Sequence, residues 1–186
     1  MTRAVEQRPD YQDALARLDI LETLARFDPH IAGTPPLGIA MPSSDIDILC
    51  HAPDAAAFAD VLWSAFSGHQ GFAMRQWAGG ERAVIATFVA EGWAFELFGS
   101  PLPVARQAGW RHFLVEQRLL ALGGPPFRAA VLALRHQGIK TEPAFGQLLS
   151  LPGDPYAALL ALERESDESL AATLSAAGFH SASSWR

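Results

Sequence analysis

The segment from Ser44 to Cys50, SDIDILC, alternates polar with apolar residues, a pattern typical of a β-strand that is buried on one face. Successive side chains of a strand point to opposite faces, so Asp45 and Asp47 share one face and the isoleucines that follow them share the other. One face therefore carries two carboxylates while the other can enter a hydrophobic core. The pattern therefore predicts a strand that packs on a hydrophobic core with one face and contributes to a polar site with the other.

The order of the other patterns predicts an α+β fold, because strands dominate the first part of the chain and helices the second. We expect a small mixed sheet of four or five strands with helices packed on it. Residues 1–102 would form this core, and residues 103–186 would form a helical part packed on the same core. The predicted strands are 30–33, 44–50, 72–77, 83–90 and 93–98. The predicted helices are 10–27, 54–66, 110–122, 127–137, 142–150, 155–165 and 167–177.

Composition narrows the class of protein. Apolar residues make up 49% of the 186 residues and charged residues only 18%, so the chain can bury a sizeable core and is not of the disordered type. No apolar run approaches the ~18 residues of a membrane span, and the first residues, MTRAVEQRPD, lack the apolar core of a secretion signal. A single cysteine, Cys50, cannot form an internal disulfide. We therefore expect a cytoplasmic protein that does not enter a membrane.

The charge is unevenly distributed. The net charge of −6 argues against broad binding of nucleic acid. Residues 71–140 nevertheless carry eight Arg and Lys side chains against four Glu. Two interpretations stay open: the excess is accidental, or this part of the chain contributes to a site for anionic groups such as phosphates.

Asp45 and Asp47 are candidate metal ligands. Two carboxylates about 7 Å apart on one strand face repel each other, and a divalent cation relieves that repulsion. Oxygen ligands suit Mg²⁺ or Mn²⁺. The alternative is that both side chains simply face solvent, or that one of them caps a turn.

Two further features favour the metal site. Gly33-Thr34 lies twelve residues before Asp45, where a glycine lets backbone amides approach a phosphate and the threonine hydroxyl adds a hydrogen bond. Glu96 interrupts the otherwise apolar segment WAFELF, and a carboxylate in such a strand usually has a partner.

These residues resemble the pattern of the nucleotidyltransferase superfamily, which has the polymerase-β-like fold. In that pattern an apolar residue and Gly-Gly or Gly-Ser precede, by roughly ten residues, an Asp-apolar-Asp motif, and a third carboxylate lies on a later strand. Here Ala32-Gly33-Thr34, Asp45-Ile46-Asp47 and Glu96 match in order and spacing. The departure is Thr34, which keeps a hydroxyl but adds a methyl group where the superfamily usually has Ser or Gly.

The chain resembles still more closely a bacterial family of unknown function within that superfamily. The resemblance runs from about Leu15 to Leu162. The segments that carry it are GTPPLGIAMPSSDIDILC, FELFGSPLPVARQAGWRHFLVEQRLL and GIKTEPAFGQLLSLPGDPY. No reaction accompanies this resemblance.

The superfamily resemblance implies roles for the three carboxylates. Asp45 and Asp47 would coordinate two Mg²⁺ ions, one of which carries a nucleoside triphosphate. Glu96 would help to hold the other ion and would orient or deprotonate the acceptor hydroxyl. Two metal ions would stabilise the attacking and the leaving oxygens.

The resemblance also implies a phosphate side of the site. Its candidates fall into two groups, the residues next to the motif and cations from later in the chain. They are Gly33, Thr34 and Ser44 in the first group and Arg106, Arg111 and Lys140 in the second, with Lys140 ranked first among the cations because it lies in the segment GIKTEP.

Three functions remain open from the sequence. The first is a metal-dependent nucleotidyltransferase with a small-molecule or protein acceptor, since an RNA acceptor would require more basic surface. The second is a catalytically silent relative that binds a nucleotide or a partner protein. The third is a metal-dependent phosphohydrolase, in which water takes the place of the acceptor. Retention of all three carboxylates favours an enzyme over a silent binder.

Overall fold

The structure is a computed structural model and describes residues 8–77 and 82–180. It confirms the predicted α+β class with a five-stranded mixed sheet. The helices are α1 (Tyr11–Arg17), α2 (Ile20–Thr23), α3 (Thr34–Leu37), α4 (Ala55–Phe66), α5 (Ala108–His136), α6 (Thr141–Leu148), α7 (Pro155–Ala161) and α8 (Asp167–Ala176). The strands are β1 (His30–Ala32), β2 (Asp45–His51), β3 (Gln70–Gln76), β4 (Val84–Ala90) and β5 (Trp93–Ser100).

The chain divides into two compact units. The first contains the described residues up to Pro35 together with Ser44–Gln107, and the second contains Pro36–Ser43 together with the described residues from Ala108 onward. The sequence-based boundary between residues 102 and 103, and the packing of both parts on one core, stay predictions.

The sheet of the first unit has the strand order β1-β2-β5-β4-β3. Strands β2 and β5 pair in parallel, and the other three pairs are antiparallel. The predicted hairpin between β4 and β5 is confirmed. Its two connecting residues, Glu91 and Gly92, both have positive φ angles, 50° and 73°, which is the geometry of a tight turn that follows the twist of the strands.

The core of the first unit lies on the face of the sheet opposite to the paired aspartates. Ile46 and Ile48 are fully buried there, and the ring of Phe88 stacks between Phe66 of α4 and Phe95 of β5, with ring centroids 5.1 and 5.0 Å away. The ring of Phe58 lies against Gly99, where a Cβ would overlap it. The alternation read from the sequence thus places one face of β2 in the core.

One predicted helix is wrong in its extent. The helix expected over residues 10–27 consists of α1, α2 and a single 3₁₀ turn, Ala25–Phe27. It breaks at Asp19, which has a left-handed backbone with φ 48°. Apolar spacing continues across the break, so the spacing alone did not reveal it. Aspartate is among the non-glycine residues that adopt this conformation most readily.

The second unit is helical, and its core is aromatic and aliphatic. Helix α5 kinks at Gly124, where φ is 62° and ψ is −160°, and two prolines follow. This kink separates the two helices expected on either side of it. The ring of Phe127 contacts those of Phe145 and Phe179 edge-on, at centroid distances of 5.5 and 4.9 Å. No helix in the described ranges has the length and apolar character needed to cross a membrane.

A carboxyl group is buried in this helical unit. Glu116 of α5 is only 5% exposed. The pKa of Glu116 is raised to about 8, chiefly by burial and also by the Glu142 carboxylate, while the Arg135 guanidinium lowers it. The folded state therefore favours the protonated form of this side chain.

Replacing Glu116 with Gln should change how stability depends on pH. Because the folded pKa lies above the unfolded one, the stabilisation from protonated Glu116 is complete below about pH 4 and is lost as the pH rises through about 8. Relative to Glu116→Gln, the wild type should lose up to ~1.4 kcal/mol of unfolding free energy per pH unit between these limits. Urea unfolding at pH 5, 7 and 9 measures the difference.

A matched control is Glu22→Gln, at an exposed position of α2. Its stability should follow the wild-type pH profile. Parallel profiles for wild type and Glu116→Gln would contradict the buried, protonated state of Glu116.

Candidate active site

Three carboxylates lie on one face of the two central strands. Asp47 of β2 is directly opposite Glu96 of β5 in the parallel pair, and Asp45 is opposite Ala94. Register partners in a sheet project to the same face, so Asp45, Asp47 and Glu96 face the same side. Asp45 is exposed, whereas Asp47 and Glu96 are half-buried. The structure therefore brings the three predicted acidic residues together on adjacent strands.

Glu96 sits in a mixed electrostatic environment. Burial raises the pKa of its carboxyl, the Arg75 guanidinium lowers it, and the Asp45 carboxylate raises it. The effect of Asp45 agrees with the register, which places both carboxylates on the same face of adjacent strands. A bound cation would stabilise the ionised form of Glu96 and oppose the effect of burial.

Gly33 directly follows β1 and packs against the carboxylate of Asp47. Its φ is +74°, which side-chain-bearing residues rarely adopt, and a Cβ at this position would overlap Oδ2 of Asp47. Glycine is required here on both grounds. The backbone of residue 33 therefore lies beside Asp47.

Thr34 and Ser44 join the two ends of the segment that separates β1 from β2. The Thr34 hydroxyl donates a hydrogen bond to Oγ of Ser44 over 2.9 Å. Ser44 is nearly buried, at 7% exposed, and its carbonyl accepts a hydrogen bond from Arg8 over 3.4 Å. The hydroxyl of Thr34 thus lies beside that of Ser44, the residue that directly precedes the Asp45-Ile46-Asp47 motif.

The three predicted cations lie on different structural elements. Arg106 is an exposed residue of the single 3₁₀ turn Val104–Arg106, in the first unit. Arg111 belongs to the second unit, where its Nε donates to both carboxylate oxygens of Glu163 over 3.0 and 2.9 Å. Lys140, also in the second unit, is exposed and precedes α6. Their roles at a phosphate site stay predictions, and Arg111 would have to exchange a carboxylate partner for phosphate.

Arg75 on β3 is a cation that sequence reasoning did not single out. The pairing of β3 with β4 shifts register between Gln70 and Ala73, and Gly71 there has a φ of 67°. Such a glycine bulge inserts one residue and reverses the faces of the residues after it. The signal that could have revealed it is Gly71 itself, since a glycine inside a strand pattern suggests a bulge.

The donor chemistry at this face suits a hard divalent cation, since all three candidates offer carboxylate oxygens. Within residues 8–77 and 82–180, however, no group of three or more His, Cys, Asp or Glu side chains is arranged closely enough to hold a metal ion. The three carboxylates share a face and adjacent strands without enclosing one point.

Comparison with protein families places the chain. A family model described as a domain of unknown function, DUF4269, matches residues 13–162. The chain belongs to the DUF4269 family. A comparison with curated protein sequences gives no match.

Solved structures show the fold that this DUF4269 domain shares with known proteins. The match to Cid1, in a structure on its RNA terminal uridylyl transferase activity, has a TM-score of 0.53 at 16% identity and covers 80% of this chain and 45% of that one. The GLD-2/RNP-8 complex matches with a TM-score of 0.51 at 14% identity, covering 74% and 56%. A cytoplasmic RNA terminal U-transferase matches with a TM-score of 0.50 at 17% identity, covering 80% and 44%. The domain thus has a nucleotidyltransferase-like fold, and it spans about half the length of these chains.

Proposed function

We propose that this DUF4269 protein is a metal-dependent nucleotidyltransferase, which transfers a nucleotidyl group from a nucleoside triphosphate to a small-molecule or protein acceptor. The observation that carries the proposal is the placement of Asp45, Asp47 and Glu96 on one face of adjacent parallel strands. The nucleotidyltransferase-like fold supports it. A protein that only bound nucleotide would not need three carboxylates on one face of the sheet.

Asp45, Asp47 and Glu96 would hold Mg²⁺ or Mn²⁺ at this face, because hard oxygen donors suit these cations. When bound, the cation supplies charge neutralisation for the phosphates and polarises the acceptor hydroxyl. Gly33 permits close approach of the backbone to Asp47, and hence to a phosphate bound there.

The transfer itself is a substitution at phosphorus. The acceptor hydroxyl oxygen forms a bond to the α-phosphorus, and the bond from that phosphorus to the oxygen bridging to the β-phosphate breaks. Pyrophosphate leaves with the bonding electron pair. Glu96 orients the hydroxyl and receives its proton, which then passes to water.

The hydroxyl pair Thr34–Ser44 would bind the outer phosphates of the nucleotide, since hydroxyls donate well to phosphate oxygens. Thr34→Ser keeps the hydroxyl and should bind a triphosphate analogue as the wild type does. Thr34→Val keeps the shape, loses the hydroxyl and should weaken binding about tenfold, the equivalent of one hydrogen bond to a charged group. Calorimetric titration gives both affinities, and thermal melting checks the fold of each variant. Wild-type affinity in a folded Thr34→Val protein would remove Thr34 from the phosphate site.

The proposal as a whole is tested first by nucleotide binding. Calorimetric titration with α,β-methylene analogues of the four nucleoside triphosphates, in Mn²⁺ and then in excess chelator, should give binding that requires the metal. The double variant Asp45→Asn, Asp47→Asn should lose it. Binding that survives both the chelator and the double substitution would contradict the proposed site. Metal-dependent binding without turnover would instead indicate the silent-binder alternative.

A further inference from the structure

The bulge at Gly71 determines which way Arg75 points. Gln70 pairs with Val89, but Ala73 pairs with Thr87 and Arg75 with Ile85, so β3 holds one extra residue in between. Without that residue Met74, not Arg75, would be the partner of Ile85. The inserted residue turns Arg75 onto the face where Thr87 lies beside Glu96. Bulges of this kind commonly re-aim a side chain next to an active site.

Arg75 and Gly33 lie on opposite sides of the carboxylates. The strand order places β1, which Gly33 follows, next to β2, and β3 at the far edge beyond β5 and β4. Neighbouring strands are ~4.8 Å apart, so β3 is about 14 Å from β2. Arg75 lies on the same face of the sheet as Glu96, with β4 between their two strands, so the two strands are about 10 Å apart. Glu96 therefore lies between Gly33, where the nucleotide is proposed to bind, and Arg75.

The geometry of phosphoryl substitution indicates which side the leaving group occupies and from which side the acceptor approaches. The attacking and leaving oxygens lie roughly in line through the phosphorus. If the outer phosphates leave on the side of Gly33 and Thr34, the acceptor must approach from the side of Glu96 and Arg75. We propose, resting on the proposed function, that Arg75 binds an anionic group of the acceptor, which is a small molecule that carries a hydroxyl together with a phosphate or carboxylate.

The surroundings of Arg75 fit a small anionic acceptor. In the row of Glu96 the side chains toward β3 are short, Thr87 and then Ala73, and Arg75, in the next row of this face opposite Ile85, is exposed. Arg75 is the one arginine or lysine among the described strand residues of this face. A guanidinium binds phosphate or carboxylate through two parallel hydrogen bonds. A polynucleotide would require a series of cations along its backbone instead.

NMR titration of the ¹⁵N-labelled 186-residue chain tests the inference with two probes, ribose 5-phosphate and gluconate, which separate a phosphate from a carboxylate. At least one probe should produce saturable shifts at the Arg75 side-chain Nε–H and at the backbone amides of Ala73 and Thr87. Arg75→Ala should lower the affinity for that probe, as measured at the two amides, at least tenfold. Arg75→Lys should lower the affinity less. Gln76→Ala is the matched control on the same strand, because residue 76 projects to the opposite face, and it should leave the affinity unchanged.

A separate titration with an α,β-methylene triphosphate and Mg²⁺ follows the amides of Gly33 and Thr34. Arg75→Ala should bind this nucleotide within twofold of the wild type. The inference is overturned if neither probe shifts the Arg75 signal up to 10 mM, if Arg75→Ala binds the probe normally, or if Arg75→Ala loses the triphosphate instead. Absence of nucleotide shifts in the wild type would count against the proposed function, and the probe titration would still report on Arg75.

Discussion

Asp47→Asn is expected to reduce both Mn²⁺ affinity and nucleotidyl transfer by more than about 100-fold while the protein stays folded. The substitution keeps the size of the side chain and removes a charged oxygen ligand directly opposite Glu96. Loss of even an outer-shell partner of a metal ligand typically costs 10–100-fold in metal affinity or activity, so loss of a proposed ligand should cost more. Calorimetry with Mn²⁺ gives the affinity, and urea unfolding with excess chelator gives the stability.

The metal-free variant should be as stable as the wild type or more stable, because the substitution removes repulsion among the carboxylates. Asp60→Asn, at an exposed position of α4, makes the same chemical change away from the sheet face and should leave Mn²⁺ affinity unchanged. Equal Mn²⁺ affinity in Asp47→Asn and the wild type would show that no metal site exists at Asp47.

Gly33→Ala should have the second largest effect, because it combines two costs. The alanine must adopt a φ near +74°, which costs roughly 1–2 kcal/mol, and its Cβ overlaps Oδ2 of Asp47. The carboxylate must then move, so Mn²⁺ affinity and nucleotide affinity should fall together with the free energy of unfolding. Urea unfolding and calorimetry on the same samples measure all three.

Two further variants separate these costs. Gly138→Ala has the same backbone problem, with φ +85° and no atom within 4 Å of the added Cβ, so it should show the conformational cost alone. The double variant Gly33→Ala, Asp47→Ala has no overlap, because the carboxylate is gone. Its free energy of unfolding should therefore be lower than that of Asp47→Ala only by the cost of the positive φ angle. A Gly33→Ala protein that binds Mn²⁺ as the wild type does would contradict the close packing of residue 33 against Asp47.

Sequence patterns predicted the structure well where neighbouring residues alone determine the local geometry. The alternation in Ser44–Cys50 predicted which face of β2 carries the aspartates, and the two residues Glu91-Gly92 predicted the hairpin that brings β5 back beside β4. These two features of the sheet were therefore predictable from segments of fewer than ten residues.

Features that depend on pairing were less accessible. The register that sets Glu96 opposite Asp47 involves residues 49 positions apart, and the ion pair of Arg111 with Glu163 spans 52. The bulge at Gly71 changes the face of Arg75 without changing the spacing of apolar residues on β3. Sequence patterns could therefore nominate the carboxylates, but they could not identify the cation that shares their face.

The claim of nucleotidyl transfer is tested most directly by the fate of the α-phosphate. Wild-type protein is incubated with α-³²P-labelled nucleoside triphosphate, Mg²⁺ or Mn²⁺, and in turn a small-molecule extract, ribose 5-phosphate and carrier protein, with the Asp45→Asn, Asp47→Asn variant in parallel. We expect that label joins an acceptor, that unlabelled pyrophosphate is released, and that the double variant does neither. Label that appears only in nucleoside mono- or diphosphate would identify a phosphohydrolase, and equal turnover by wild type and double variant would contradict the site at the paired aspartates.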